Sequence, residues 1–454
     1  MAKSLALLAA ELAAGHETAE ALTARALERI EEPEGEGSLA FLNVHREKAL
    51  KAAAAMDQLR GAGLAPSPYA GIPISVKDLF DLAGEPTTAG SVVLKDSPLA
   101  QSDAVAIARL RRAGFMVVGR TNMTEFAFSG IGINPHYGTP ACPYDRGARR
   151  IPGGSSSGGA VSVADGMVYG AIGSDTGGSC RIPAALCGIV GYKPTAARVP
   201  LKGAFPLSST LDSIGPLANT VNCCRVLDQF MSAEELSETA PRPLSGIRLA
   251  MPKTLVLDNL DGHVASAFER ALTTLSRAGA RIDEIPLAVL STLAGINSKG
   301  GFAAAEAYAH HQALLPQRSA QYDPRVLLRI QRGEQQSSAD YIALIEARNA
   351  FIAEVNAAIM PYDALVMPTV PIIAPLISEL EHDDDAFTRA NMLLLRNSTV
   401  VNMMDGCAIS LPMHHGGDPP TGLMLAASGG SDAALFSVAA VVEAGLGERL
   451  DVFP

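Results

Sequence analysis

The sequence predicts an α/β fold built as one large domain across its 454 residues. Three observations carry that expectation. Residues 72–76 and 115–118 are short and β-rich, and they flank a helical stretch at 104–113, the strand–helix–strand rhythm of a mostly parallel sheet. Residues 1–60 and the block from about 262 to 360 carry helical patterns. Near the C-terminus a strand-like run at 363–367 precedes Pro368 and Pro371, and a closing helix spans 431–446.

Taken in chain order, Leu5, Leu8 and Leu12 repeat at helical spacing, Gly15 reads as a C-cap, and Thr18 as the N-cap of a second helix. The apolar run at 5–10 has the look of a signal-peptide core, but Glu11 interrupts it, so a docked helical hairpin is expected in place of export. The N-terminal helices occupy 1–65, ending at Gly61-Ala62-Gly63 before the Pro66-Ser67-Pro68 turn. Core segments occupy 66–217, unusually rich in Gly, Ser and Pro from 129 onward. A largely helical block at 218–360 reads as a cap over the site, and 361–454 return to the core. No internal repeat or domain-separating linker is visible.

The composition excludes several functions. With 36 Lys and Arg against 47 Asp and Glu, a net charge of −11, the chain offers no basic stripe for a nucleic-acid backbone or an anionic membrane surface. Six cysteines without a CxxC pair fit buried free thiols in a reducing cytoplasm, the expected location. No HExxH or carboxylate cluster announces a metal, and none is expected. Neighbouring histidines such as His414-His415 and His310-His311 lack metal-ligand spacing and are read as structural.

The most informative segment is Pro152-Gly153-Gly154-Ser155-Ser156-Ser157-Gly158-Gly159, followed 24 residues after Ser155 by Ser179 in Gly173-Ser174-Asp175-Thr176-Gly177-Gly178-Ser179. A flexible linker does not sit between ordered segments punctuated by Asp175, Arg181 and Pro183. A phosphate cradle would need a following Gly-Lys-Ser/Thr or a third glycine, and neither is present. A GxSxG elbow centred on Ser156 is satisfied literally, yet the polar 145–150 stretch precedes it where a hydrophobic strand belongs. Ser179 has better local physics. Gly177 and Gly178 place two free backbone N–H groups beside it, and a helix-like stretch at 179–186 begins there. The residues alone leave open whether Ser179 reacts or merely caps that helix.

These blocks resemble the amidase signature family, as do Gly71-Ile72-Pro73-Ile74-Ser75-Val76-Lys77-Asp78, Gly119-Arg120-Thr121-Asn122-Met123-Thr124-Glu125-Phe126, Gly188-Ile189-Val190-Gly191-Tyr192-Lys193-Pro194-Thr195 and Asp212-Ser213-Ile214-Gly215-Pro216. The likeness is close over 70–217 and weakest over 218–360. It implies a large mixed β-sheet layered by helices on both sides, and hydrolysis of small-molecule amides, carbamates or ureas with water as acyl acceptor and no cofactor. It further implies Ser179 as nucleophile, Ser155 as bridging serine after a cis Gly154–Ser155 peptide, and Lys77 as terminal base. The N–H groups from Thr176 through Gly177 and Gly178 to Ser179 match the family's oxyanion loop. Ala127 falls where substrate is lined in fatty acid amide hydrolase, a member of that family. Ser156, Asp175 and Arg181 become supporting residues.

Lys77 follows the strand-like Ile72, Ile74 and Val76, and only nine lysines occur in the chain, so an interior lysine there stands out. Cys180 has no evident base and reads as a small packing residue. Arg181 is expected to buttress its loop, and the pocket to draw on Ala127, Phe128, Gly130 and the cap. Two alternatives stand beside the hydrolase: the A subunit of an aminoacyl-tRNA amidotransferase, and an esterase of the α/β-hydrolase type using Ser156. The oligomeric state is open, with a homodimer as one candidate.

Overall fold

The computed structural model describes residues 3–236 and 242–447. Among these residues eleven strands form one sheet: β1 (Phe41–Val44), β2 (Pro73–Lys77), β3 (Met116–Thr121), β4 (Gly170–Asp175), β5 (Val190–Lys193), β6 (Ser213–Ala218), β7 (Arg248–Pro252), β8 (Arg281–Ile285), β9 (Ala364–Pro368), β10 (Cys407–Pro412) and β11 (Gly422–Ala427). Their order is β1-β3-β2-β4-β6-β5-β10-β11-β9-β7-β8.

The sheet is mixed, as the family resemblance implies, in place of the mostly parallel sheet that the local strand–helix–strand rhythm suggests. β2 runs parallel to β3 and β4, and β7 parallel to β8 and β9. The other pairings, including the run β4-β6-β5-β10-β11-β9 at the centre, are antiparallel. Strand–helix–strand units therefore sit toward the flanks, where sequence rhythm is easiest to see.

Both faces of the sheet are covered. Every residue of β3, β4, β6, β10 and β11 is buried. Along β10 and β11, Cys407, Ile409, Leu411, Leu423 and Leu425 join one apolar cluster while Ala408, Met424 and Ala426 join another. Successive side chains point to opposite faces, so these clusters lie on the two sides of the sheet, and a strand buried on both sides shows no polar alternation.

The N-terminal signals hold in detail. Ser4 and Thr18 cap the helices Leu5–Ala14 and Ala19–Ile30, and Gly15 ends the first at φ 71°. Leu5, Leu8 and Leu12 are buried where this helix meets the helix Val221–Ser232. Three strands, β1, β7 and β8, interrupt segments read as helical. β1 is only four residues between the helices Gly37–Ala40 and Arg46–Gly61, too short to display a period. β8 is a charged edge strand with no fully buried position. No helix among the described residues is long and apolar enough to cross a membrane.

The sheet positions the site through β2 and β4, whose register aligns Ser75 with Ala171 and Val76 with Ile172. Being parallel, they deliver Lys77 and Asp175 to the same edge, where the carboxyl ends of strands leave room for a ligand.

If the first helix is held by its buried leucines, Leu8→Ala removes contacts worth about 2–5 kcal/mol. Thermal melts should show a clear fall in Tm for that variant and essentially none for Leu7→Ala, whose side chain is 47 % exposed.

Candidate active site

Lys77 ends β2 with no solvent exposure. Its Nζ lies 2.7 Å from Ser155 Oγ and 2.9 Å from Ser174 Oγ, and among the described residues it forms no ion pair. Burial pushes its pKa down to about 8, against the opposing pull of Cys180, Asp175 and Asp212. At that value about one molecule in ten is neutral at pH 7, a few hundred times the fraction expected at the ordinary value.

Ser155 follows a cis peptide with Gly154. Its strap is tied on both sides, with Thr124 N–H donating to the Ser155 carbonyl at 3.1 Å and Gly154 N–H to the Gly130 carbonyl at 2.8 Å. A Cβ at position 154 would sit 2.7 Å from Gly132 N and Thr124 Oγ1, so the residue there must be glycine. Ser156 occupies the N-cap position of the helix Ser157–Ala164, with its Oγ 3.4 Å from the Ser174 carbonyl. No strand leads into it, so the strand–turn–helix of a nucleophile elbow is not formed.

Ser156 N–H also donates to the Ser179 carbonyl at 3.3 Å, joining the two serine-bearing segments. Ser179 does not cap a helix. The helix Arg181–Cys187 starts two residues later, with Cys180 in the cap position. The Ser179 side chain lies instead on the wall of a cleft.

The turn before Ser179 is organised by one carboxylate. Asp175 accepts Gly178 N–H at 2.8 Å, Cys180 N–H at 3.1 Å, two Arg181 nitrogens at 2.8 and 3.0 Å, and Asn402 Nδ2 at 3.0 Å. Burial alone would raise its pKa, but Arg181, Asn402 and Lys193 hold it far below the usual carboxylate range. Arg181, itself fully buried, also reaches the Ser398 carbonyl and Asn402 Oδ1. These contacts tie the loop to the helix Asp384–Met403. One expectation is corrected: Gly178 N–H is not free, because Asp175 already takes it. The N–H groups of Thr176, Gly177 and Ser179 carry no such bond within the described residues. Thr176 Oγ1 donates to Asp212, whose carboxyl burial raises to about 6 against hydrogen bonds from Thr176, Ser208 and Leu207.

The cleft has a volume of about 630 Å³. Ala127 and Phe128 line it, together with Thr176, Gly177 and residues of the 218–360 block such as Phe302 and Leu328. Gly130 stands behind the wall, its N–H donating to Asn391 Oδ1 at 2.9 Å. The paired histidines lie elsewhere. His311 is buried against Tyr322, its pKa lowered to about 4 by burial, and His414 packs beside Thr421. Burial pushes the Cys180 thiol far up, which keeps it protonated. No group of three His, Cys, Asp or Glu side chains among the described residues is arranged to hold a metal.

Sequence reasoning missed Ser174, Asp212, Ser398 and Asn402. Ser174 and Asp212 lie inside blocks already singled out, and the alternation of β4 could have turned Ser174 toward Lys77. Ser398 and Asn402 come from the distant helix Asp384–Met403, and no local signal marks them.

Comparison with known proteins gives the family. Residues 21–436 match the profile of the amidase family. Over 414 residues the chain is 35 % identical to a 2-amino-5-chloromuconic acid deaminase of Comamonas testosteroni, covering 88 % of this chain and 87 % of the relative. It is 32 % identical to a glutamyl-tRNA(Gln) amidotransferase A subunit from Streptococcus pneumoniae, covering 94 % and 92 %. A crystal structure of an amidase superposes with a TM-score of 0.87 at 30 % identity, covering 98 % of this chain and all of the other.

Burying Lys77 has a cost that can be measured. Its pKa falls from 10.5 in the unfolded chain to about 8, so the unfolded state binds more protons between those values and stability from this group rises with pH across that window. Below pH 8 the penalty is present in full, roughly 3 kcal/mol. Lys77→Met should therefore melt higher than the wild type at pH 7, with the difference shrinking as pH rises from about 8 toward 10.5. A variant that melts lower throughout would contradict the assignment.

Proposed function

The chain belongs to the amidase family and hydrolyses amide C–N bonds, and from that premise we propose that it works through an acyl-enzyme on Ser179, with Ser155 as proton relay and Lys77 as base. The observation that carries this reading is the 2.7 Å contact between Ser155 Oγ and a fully buried Lys77 Nζ.

A serine hydroxyl must lose its proton as its oxygen bonds to carbon. In the proposed sequence Ser179 Oγ attacks the amide carbon, its proton passes to Ser155 Oγ, and the Ser155 proton passes to neutral Lys77. The carbonyl oxygen becomes an oxyanion facing the N–H groups of Thr176, Gly177 and Ser179, while Gly178 N–H stays with Asp175 and fixes their direction. When the C–N bond breaks, the Lys77 ammonium returns the proton through Ser155 to the departing nitrogen, which leaves as a neutral amine. Water then attacks the acyl carbon, giving its proton along the same path, and the acid departs as Ser179 recovers its hydrogen. Carbamates and ureas fit the same chemistry. The whole chain forms one catalytic domain in this reading, with the helices that follow β8 as the cap, since β7 and β8 place the first part of 218–360 in the sheet.

The 32 % identity to an amidotransferase A subunit supports a second reading, in which the same acyl chemistry feeds ammonia to a partner. Steady turnover of free amides by the isolated chain favours the hydrolase. Turnover only after a partner is added favours the second reading.

The hydrolase mechanism predicts that a fluorophosphonate labels Ser179, that Ser179→Ala abolishes labelling and hydrolysis, and that labelling survives in Ser156→Ala. Because the base acts only when deprotonated, kcat/KM should rise with pH along a single limb with a midpoint near 8. Lys77→Arg, which cannot deprotonate near neutral pH, should be as inactive as Lys77→Ala. Near-normal activity in Lys77→Arg would mean that the residue acts as a fixed charge.

A further inference from the structure

The cleft over Ser179 carries charges predominantly of one sign. In a chain of net charge −11, its lining holds three arginines, Arg325, Arg329 and Arg332, and one carboxylate, Asp384. That carboxylate is taken. Arg325 Nε lies 2.6 Å from Asp384 Oδ1, and another Arg325 nitrogen donates to the Glu381 carbonyl at 2.9 Å.

Arg329 and Arg332 form no ion pair among the described residues. Arg329, on the helix Pro324–Gln331, spends one N–H on the Phe128 carbonyl at 2.9 Å and stacks 5.3 Å from the Phe387 ring centroid. Arg332, three residues on, donates to the Ser298 carbonyl at 3.3 Å. Burial pushes the Arg329 pKa down to about 10, with Asp323 opposing and Arg325 and Arg332 adding to the effect. A half-buried guanidinium held by one neutral carbonyl keeps most of its five donors for something else, and a desolvated cation without a counter-ion is unfavourable until an anion arrives. The Phe128 bond fixes the fork beside Ala127, which lines the same cleft as Ser179.

We propose that Arg329, assisted by Arg332, binds a carboxylate on the substrate, so that the preferred substrates are amides whose acyl chain ends in an acid. Planar guanidinium matches carboxylate in a bidentate geometry, and the largely apolar cleft between that end and Ser179 suits a hydrocarbon spacer. The inference rests on the proposed role of Ser179 and adds the recognition element to it.

The test compares half-amides of dicarboxylic acids with neutral amides of equal length: succinamate with butanamide, adipamate with hexanamide, suberamate with octanamide. The full chain should favour at least one half-amide in kcat/KM by roughly tenfold or more, the scale of one charge-assisted contact. Arg329→Gln should reduce that preference about tenfold, mainly through KM, and Arg329→Lys should retain part of it. Arg332→Gln should also lower it. In parallel, the same half-amides should slow fluorophosphonate labelling of Ser179 in the wild type more than their neutral counterparts do. If Ser179 labels but no half-amide is preferred or protective in the wild type, the carboxylate site is overturned while the seryl mechanism stands. If Ser179 fails to label and none of the six amides turns over, both fall together.

Discussion

Lys77 is a cation buried with only neutral groups at bonding distance, and much of the surrounding architecture follows from that constraint. A lysine in a dry interior either pairs with a carboxylate, which keeps it charged, or sits among hydroxyls, which lets it give up its proton. Here the contacts are Ser155 and Ser174. Two carboxylates, Asp175 and Asp212, lie close enough to pull its pKa upward, and each is occupied by other donors. Asp175 is saturated by Arg181, Asn402 and two loop amides. Asp212 takes Thr176, Leu207 and Ser208. Neither is left to form an ion pair with Lys77, so burial prevails.

The same carboxylates shape the turn that carries Ser179. Asp175 takes Gly178 N–H and thereby turns its neighbours toward the cleft. Position 178 must be glycine, because φ there is +133° and a Cβ would lie 2.2 Å from Ser398 Oγ. Asp212 ties Thr176 to the segment 207–212, which Glu306 on the helix Gly301–His311 grips in turn through Ser208 and Thr210, while Tyr341 OH donates to Glu306 at 2.6 Å. A chain of hydrogen bonds thus runs from the helices Gly301–His311 and Ser338–Ile359 to the turn that carries Ser179.

The parts of this arrangement legible in the sequence were those encoded locally. Capping residues Gly15 and Thr18, the strand ending at Lys77, and the glycine and serine spacing around Ser155 and Ser179 each depend on a few neighbouring residues. What escaped was set by distant ones. The central strands are buried on both faces and lack alternation, so their antiparallel pairing left no periodic trace. β1 and β8 were hidden within helical stretches by shortness and by edge position. Gly178 is the exception, because the Asp175 that claims its N–H lies only three residues earlier, in a short-range pattern open to aspartate. Asn402 and Ser398 reach the site across more than 200 residues of chain, and the arginines of the cleft become notable only once folding shows that two of them face it without a carboxylate partner.

The claim on which this account turns is that Lys77 loses its proton near neutral pH, and lysine-selective NMR of the Nζ resonance, assigned by comparison with Lys77→Met, measures it directly. The account predicts one resonance titrating with a midpoint near 8. A Lys77 signal that stays protonated to pH 10 or beyond would contradict a neutral base and leave the residue as a fixed positive charge.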